Sequence, residues 1–114
     1  MPDDPPARKV LRIAPRPEVI RELVRKLALD TGHIQWRRHA QERMIERGIT
    51  DEMALEVLRR GDLKGEIEPG ERPGELKVKM VRGIKGRARE IGVVTIVVSS
   101  VRLRVITVEW EDVR

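Results

Sequence analysis

Two periodicities divide the chain into a helical half and a strand half. From Pro17 to Gly61, apolar residues recur every three or four positions, which predicts amphipathic helices with one buried face each. From Leu76 to Trp110, apolar residues alternate with polar ones or run together, as they do in strands. This order predicts an α+β fold in which N-terminal helices pack on a curled, antiparallel sheet of three to four strands.

The helical half contains three predicted helices. The first begins at Pro17, because a first helical turn tolerates the missing N–H of proline. The second runs from about Trp36 to Arg47, and Gly48 suits the left-handed residue that ends it. Thr50 is the expected N-cap of the third helix, which ends at Gly61.

The strand half begins with turns rich in glycine and proline around a short strand, Glu66 to Glu68. From Leu76 to Met80, apolar residues alternate with two lysines, which indicates a strand with one buried face. The run from Ile91 to Val98 is apolar on both faces and predicts a central strand. In the last strand, strict alternation places on one face Arg104, Ile106, Val108 and Trp110, and on the other Leu103 and Val105.

One domain is expected, because 114 residues suffice for one core and not for two. It should comprise residues 17–114, preceded by residues 1–16 as a flexible or docking arm. Residues 8–16 are basic with embedded apolar positions, which fits either a short edge strand or an arm docked on the domain or on a partner. No leader opens the chain, and its longest apolar run is about a third of a membrane span, so we expect a cytoplasmic protein without a membrane partner.

Composition narrows the partners and the chemistry. The net charge of +5 favours a polyanion or an acidic protein as partner, although an arginine-rich surface adapted to heat would give the same balance. There is no cysteine, and no carboxylate between His33 and His39 has a ligand-like spacing, so we expect no metal site. Neither a phosphate-binding glycine loop nor a nucleophile motif is present. Any reaction is therefore expected to proceed without a metal or another cofactor.

His39 and Arg43 form the most informative polar pair. With Arg47 they recur at four-residue spacing beside the apolar stripe of their helix, so we expect them at the rim of a groove. Histidine exchanges a proton near neutral pH and arginine presents a forked charge to a phosphate, which together suit phosphodiester chemistry. In the simpler alternative, His39 packs at a helix edge and Arg43 pairs with a nearby glutamate: Glu42, Glu46 or Glu56.

A second basic set lies on the strands and in the turn GIKGRAR. Ammonium and guanidinium groups at such spacing can hold two or three successive phosphates. Alternatively, the strand lysines protect a sheet edge against aggregation. The candidate phosphate-binding residues are Lys77, Lys79, Arg82, Lys85, Arg87, Arg89 and Arg104.

The string I-x-W-x-x-H-A-x-x-R-M-x-E-R-G-I-T, residues 34–50, resembles the opening of the DUF4258 family. The strands REIGVVTIVV and RLRVITVEW are similar to the close of that family, so the resemblance covers residues 34–110. The order of elements is also similar to the MqsR type of messenger-RNA interferase toxin and to the wider RelE and barnase-like ribonucleases. This resemblance implies a toxin of a type II toxin–antitoxin pair that cuts single-stranded RNA without a metal.

The resemblance also implies roles and partners. The 2′-hydroxyl of the RNA would attack the adjacent phosphate, with His39 as general base or acid and with Arg43 and Arg87 stabilising the phosphorane. The basic set would bind RNA, and an antitoxin of the helix-turn-helix or zinc-ribbon kind would silence the enzyme. MqsR-type toxins use lysine, glutamine and tyrosine on the sheet, and this chain has no tyrosine. The alternatives are a non-catalytic module that binds nucleic acid or protein, and an inert copy that binds only its antitoxin.

Overall fold

The computed structural model describes residues 15–84 and 89–111, and their arrangement is α+β as predicted. The helices are α1 (Pro17–Leu27), α2 (Arg38–Arg47) and α3 (Asp51–Arg60), and a short 3₁₀ turn, Thr31–His33, follows α1. The strands are β1 (Ile34–Trp36), β2 (Asp62–Leu63), β3 (Glu68–Pro69), β4 (Leu76–Gly83), β5 (Glu90–Ser99) and β6 (Arg102–Trp110).

Within the described ranges, the sheet has six strands in the order β1-β6-β5-β4-β2, with β3 also paired to β4. The predicted antiparallel meander of β4, β5 and β6 is present. Strand β1, however, pairs in parallel with β6, so the sheet is mixed and larger than the predicted three to four strands. A strand of three residues is too short to show a period of two, and its partner lies nearly seventy positions further along the chain.

The core lies between the helices and one face of the sheet. Leu58 of α3 and Met44 of α2 are almost fully buried there, as are Met80 of β4 and Val93 of β5. Burying such aliphatic side chains stabilises a domain by about 1.5–3 kcal/mol each, which compensates for the near absence of aromatic rings in this chain. The opposite face of the sheet carries the polar side chains and is called the open face below.

Strand β6 contains an irregularity that changes which side chains share a face. Val94 pairs with Thr107 and Thr95 pairs with Val105, so Ile106 is an extra residue in β6. Such a bulge reverses the alternation beyond it. Val108 and Trp110 therefore lie on the helix-covered face with Leu103 and Val105, and the prediction that grouped them with Arg104 was wrong.

The helix ends largely follow the sequence signals. Thr50 accepts a hydrogen bond from the Met53 N–H at 3.1 Å and is the N-cap of α3. Gly48 has a φ of 69°, the left-handed conformation expected after α2. None of the helices in the described ranges is long and apolar enough to cross a membrane. Residues 1–14 of the predicted arm lie outside the described residues.

Candidate functional site

His39 lies in the first turn of α2, and its side chain is exposed. The Nε–H of Arg43 donates to the His39 Nε2 at 3.2 Å. Because a guanidinium can only donate, the His39 Nε2 is the acceptor in this contact. The i to i+4 spacing thus places a ring nitrogen of the histidine directly beside a guanidinium.

Arg43 makes a second contact on the same helix. Its Nη1 lies 3.2 Å from the Glu46 Oε1, one of the pairings that the sequence left open. The pair is well exposed, so it contributes at most about 1 kcal/mol to stability. The guanidinium can therefore leave Glu46 at little cost and turn toward another anion.

Arg47, the third member of this row, links α2 to β6. Its Nη1 donates to the Val108 carbonyl at 2.7 Å, and its own carbonyl accepts from the Trp110 Nε1 at 2.8 Å. These bonds lie on the C-terminal side of residues 103–105, the part of β6 that pairs with β1. Arg47 also lines a depression of ≈ 310 Å³ together with Lys79, Glu109, Trp110 and Glu111. The polar row on α2 therefore ends where the open face begins.

Lys79 lies between two carboxylates at this end of the open face. Its Nζ is 3.0 Å from the Glu109 Oε2 and 2.6 Å from the Glu111 Oε2, and Lys64 holds the other oxygen of Glu111 at 2.9 Å. Burial acts to lower the pKa of Lys79, but its bonds to Glu111 and Glu109 outweigh this and raise that pKa above the ordinary value. Lys79 therefore remains a cation at neutral pH and cannot act as a base there.

Glu111 is the most buried acid of this cluster, with a side chain that is 5% exposed. Burial acts to raise its pKa, but the two lysines outweigh this and lower the pKa below the ordinary value. Gly92 of β5 makes room for this arrangement. A Cβ atom there would stand 2.7 Å from the Lys79 Cε and even closer to the Glu111 carboxylate. The absence of a side chain at Gly92 lets Glu111 lie flat across the sheet.

Three other described cations of the strands also have carboxylate partners. Lys77 pairs with Glu68 at 3.3 Å, and Arg82 pairs with Glu56 of α3 at 3.4 Å. Arg104 is nine-tenths buried and binds the carboxylates of the loop that precedes β4, Glu71 and Glu75. The open face is therefore a surface of ion pairs, whereas an unpaired positive surface was expected from the sequence.

Arg89 and Trp110 mark the end of the sheet at which the basic turn begins. The guanidinium carbon of Arg89 lies 3.9 Å from the centroid of the Trp110 ring, within the range of a cation–π interaction. Lys85 and Arg87, two further candidates from the sequence, lie outside the described residues. Arg89 is thus placed at the same end of β6 as Arg47.

The predicted site residues fall into two groups. His39 and Arg43 lie together on α2, while Lys77, Lys79 and Arg104 lie on the open face, and no hydrogen bond or ion pair between described residues joins the two groups directly. Arg47 of the same row lines a depression together with Lys79, and the sequence noted this arginine in the row without selecting it as a site residue. The glutamates that pair with the cations of the open face were also not selected from the sequence. The only signal for them in the sequence is the alternation of carboxylates with other residues along a strand.

Within residues 15–84 and 89–111, no group of three or more histidine, aspartate or glutamate side chains is arranged to hold a metal ion. The charged groups that lie together there are cations and carboxylates of the open face, which pair with one another.

The fold and these side chains define a small α+β domain with an exposed histidine–arginine pair beside a mixed sheet. The model of the family described as Domain of unknown function (DUF4258) matches residues 36–110, and the chain belongs to this family. The match confirms the resemblance noted in the sequence, and it covers α2 and the whole meander. Neither a curated protein nor a solved structure gives a significant match to the chain.

Proposed function

We propose that this protein is a metal-independent endoribonuclease of the messenger-RNA interferase kind, similar to MqsR- and RelE-type toxins, with single-stranded RNA as substrate. The observation that carries the proposal is the exposed pair of His39 and Arg43, with the Arg43 Nε–H bonded to the His39 Nε2 at 3.2 Å. An accessible imidazole beside a guanidinium supplies the proton acceptor and the positive charge that cleavage by a 2′-hydroxyl requires.

In the proposed reaction, the phosphate of the RNA draws the Arg43 guanidinium away from His39. The freed His39 Nε2 accepts the proton of the 2′-hydroxyl, whose oxygen attacks the adjacent phosphorus. Arg43 stabilises the negative charge of the phosphorane, with Arg87 of the basic turn as a second cation. The 5′-oxygen leaves with a proton from the protonated His39, and the other product ends in a 2′,3′-cyclic phosphate.

RNA binding in this proposal relies on cations that can exchange partners. Arg47 and Arg89 lie at the end of β6, where the row from His39 reaches the sheet. Lys77, Lys79 and Arg104 would contact the flanking phosphates only by sharing or exchanging their carboxylates. Each contact of this kind adds little to the affinity for RNA, and that affinity falls steeply as the salt concentration rises.

A partner protein belongs to the same proposal. Toxins of this kind are silenced by a cognate antitoxin in the cytoplasm, and the open face is the surface we propose for it. An antitoxin segment with acidic and apolar side chains could replace the carboxylates that now pair with Lys77 and Lys79. A small adjacent reading frame with a helix-turn-helix or zinc-ribbon pattern would support this pairing.

The test joins a cellular and a biochemical measurement. Induction of the protein in a bacterium is expected to stop growth, and the purified protein is expected to cleave single-stranded RNA in EDTA. Both His39→Ala and Arg43→Ala should lower the cleavage rate by roughly 10²–10⁴-fold, the usual contribution of one general base or one charge-stabilising group.

Two matched variants control this test. His33→Ala removes the other histidine, which lies in the turn after α1, and Arg38→Ala removes an exposed arginine of α2 itself. Both should cleave RNA at close to the rate of the unchanged protein. Intact RNA, continued growth and no effect of His39→Ala or Arg43→Ala would contradict the ribonuclease proposal.

The ion pairs of the open face favour a second candidate, a non-catalytic binding module. A surface whose described cations already hold carboxylates suits reversible exchange with another charged chain more than it suits tight retention of RNA. Salt-dependent binding of RNA or of an acidic protein, with no cleavage products at any protein concentration, would select this candidate.

A further inference from the structure

Two guanidinium groups converge on one carboxylate oxygen at the rim of the open face. Arg37, the residue before α2, and Arg104 of β6 both donate through Nη2 to the Oε1 of Glu71, the latter at 2.8 Å. Glu71 belongs to the loop between β3 and β4. Paired guanidinium groups aimed at one anionic oxygen are the arrangement that proteins also use to hold a phosphate.

Both arginines are held by contacts that do not involve Glu71. Arg104 has a side chain that is 10% exposed, and its Nη2 also lies 3.1 Å from the Oε1 of the buried Glu75. The main-chain N–H of Arg37 donates to the Val105 carbonyl at 3.1 Å, which fixes the chain at the end of β1. If the Glu71 side chain turned away, Arg104 would keep its bond to Glu75, and the main chain of Arg37 would stay tied to β6, which keeps its guanidinium within reach of the same position.

Glu71 itself is free to leave, because its side chain is 40% exposed and that of Arg37 is 43% exposed. The Glu71 backbone N–H is bound to the Glu75 Oε1 at 3.1 Å, so the loop keeps its place and only side-chain rotation is needed. One phosphodiester carries the same single negative charge as the carboxylate that it would replace. The exchange therefore leaves no buried guanidinium without a counter-charge.

We propose that Arg37 and Arg104 form a subsite for one phosphate of the RNA backbone, which Glu71 occupies until the RNA binds. The choice of RNA as ligand rests on the proposed function, while the convergence of the two arginines does not. Arg37 is the N-cap of α2, the helix that carries His39 in its first turn.

Binding of an uncleavable ligand tests the subsite apart from the reaction. The probe is a fluorescent single-stranded oligonucleotide with 2′-O-methyl groups, and the readout is anisotropy over a range of salt concentrations. Glu71→Gln removes the internal competitor and should tighten binding roughly threefold to tenfold, as expected when a charge-assisted contact is released. The double variant with Arg37→Ala should lose that gain, and its salt dependence should fall by about one released counterion.

Glu66→Gln is the matched control, since Glu66 is an exposed residue of the same connection between β2 and β4 and its change alters the net charge equally. It should tighten binding less than about twofold, as a distant surface charge does in salt. The subsite is refuted if Glu71→Gln gains no more than Glu66→Gln or if the double variant keeps the whole gain. It is equally refuted if Glu71→Gln improves the binding of a polyglutamate peptide and not of the oligonucleotide.

Because the probe lacks a free 2′-hydroxyl, the two proposals fail separately. An absence of cleavage products from ordinary RNA contradicts the ribonuclease and leaves the anisotropy result standing. Unchanged anisotropy in Glu71→Gln contradicts the subsite even where His39 proves essential for cleavage. The side chains of Glu71 and Arg37 are two-fifths exposed or more, so we expect both variants to fold. Circular dichroism verifies this before binding is measured.

Discussion

At the scale of single residues, Gly92 shows how one missing side chain organises a charged cluster. Its place near the start of β5 leaves the space that the Glu111 carboxylate and the Lys79 stem fill. Glycine within a strand lowers strand stability, so its presence is consistent with a close approach of other groups. The cluster therefore depends on a residue that carries no charge itself.

The substitution Gly92→Ala tests this dependence. The added Cβ would push the ends of the Glu111 and Lys79 side chains apart, so we expect the free energy of unfolding to fall by about 1 kcal/mol through the weakened ion pair. Urea denaturation provides the measurement. Gly83→Ala is the control, because a Cβ at that exposed strand end would meet nothing closer than 3.8 Å and should change stability by less than about 0.5 kcal/mol.

Glu111 also predicts how stability depends on pH. Its pKa in the folded protein lies below the usual 4.5, because Lys64 and Lys79 outweigh the effect of burial. A lowered pKa contributes stability above the unfolded value, and this contribution is lost as the pH falls through the folded value. The difference in unfolding free energy between the unchanged protein and Glu111→Gln should therefore be largest near neutrality and shrink as the pH falls below 4.5.

Urea midpoints at a series of pH values between about 7 and 2.5 measure this difference. Glu66→Gln, a change at an exposed site, should give a stability curve parallel to that of the unchanged protein. If the Glu111→Gln difference stayed constant over the whole range, the carboxylate would not be stabilised by its charge, and the cluster would act through packing alone.

At the scale of elements, α1 and α3 are joined by reciprocal arginine contacts at their C-terminal ends. The Arg25 Nη2 donates to the Gly61 carbonyl at 2.7 Å, just after α3. The Arg59 Nε donates to the Ala28 carbonyl at 2.7 Å, just after α1. Each guanidinium thus donates to a carbonyl that has no hydrogen-bond partner within its own helix. Each also places a positive charge at the negative, C-terminal end of the other helix, which is favourable.

Arg59→Ala should lower the free energy of unfolding by about 1–2 kcal/mol, since it leaves a partly buried carbonyl without its charged donor. Arg60→Ala, one residue further on, removes only an exposed arginine whose Nε lies 3.7 Å from Glu56. It should change stability by less than about 0.5 kcal/mol. Thermal denaturation of the two variants compares them directly, and equal losses would show that Arg59 does not act as a helix cap.

At the scale of the whole molecule, the positive charge is spread and not gathered on the sheet. The chain has a net charge of +5, yet Lys77, Lys79, Arg82 and Arg104 of the strands each have a carboxylate partner. Exposed cations such as Lys26 and Arg38 lie on the helices. An approaching polyanion would thus first be attracted by the diffuse positive potential of the whole surface. It would form specific contacts with the strand cations only after it replaced their carboxylate partners.

Local signals account for the parts of the site and fold that were predicted correctly. The contact of His39 with Arg43 follows from four-residue spacing on a helix, and Thr50 and Gly48 mark helix ends through their own backbone preferences. The meander of β4 to β6 follows from alternation within each strand. These features involve residues close in sequence, so no knowledge of the packed domain is needed.

The partners of the open face could not be predicted in this way. Lys79 and Glu109 lie thirty positions apart, and Arg104 and Glu71 lie thirty-three positions apart. Which carboxylate meets which cation depends on strand register, and the register of β6 depends on the extra residue Ile106. A pattern of charges along one strand contains no record of that bulge.

The amino-acid sequence by itself thus determined the helices, the central meander, membership in the family and the placement of His39 beside Arg43 on one helix. Periodicity and short motifs reflect the secondary-structure preference of each segment, which does not depend on the rest of the fold. Only the tertiary structure decided that β1 joins the sheet in parallel, that β6 changes face midway, and that Glu71 bridges Arg37 and Arg104. Those outcomes depend on packing between distant segments, where burial and charge compensation select one register among several that local preferences allow.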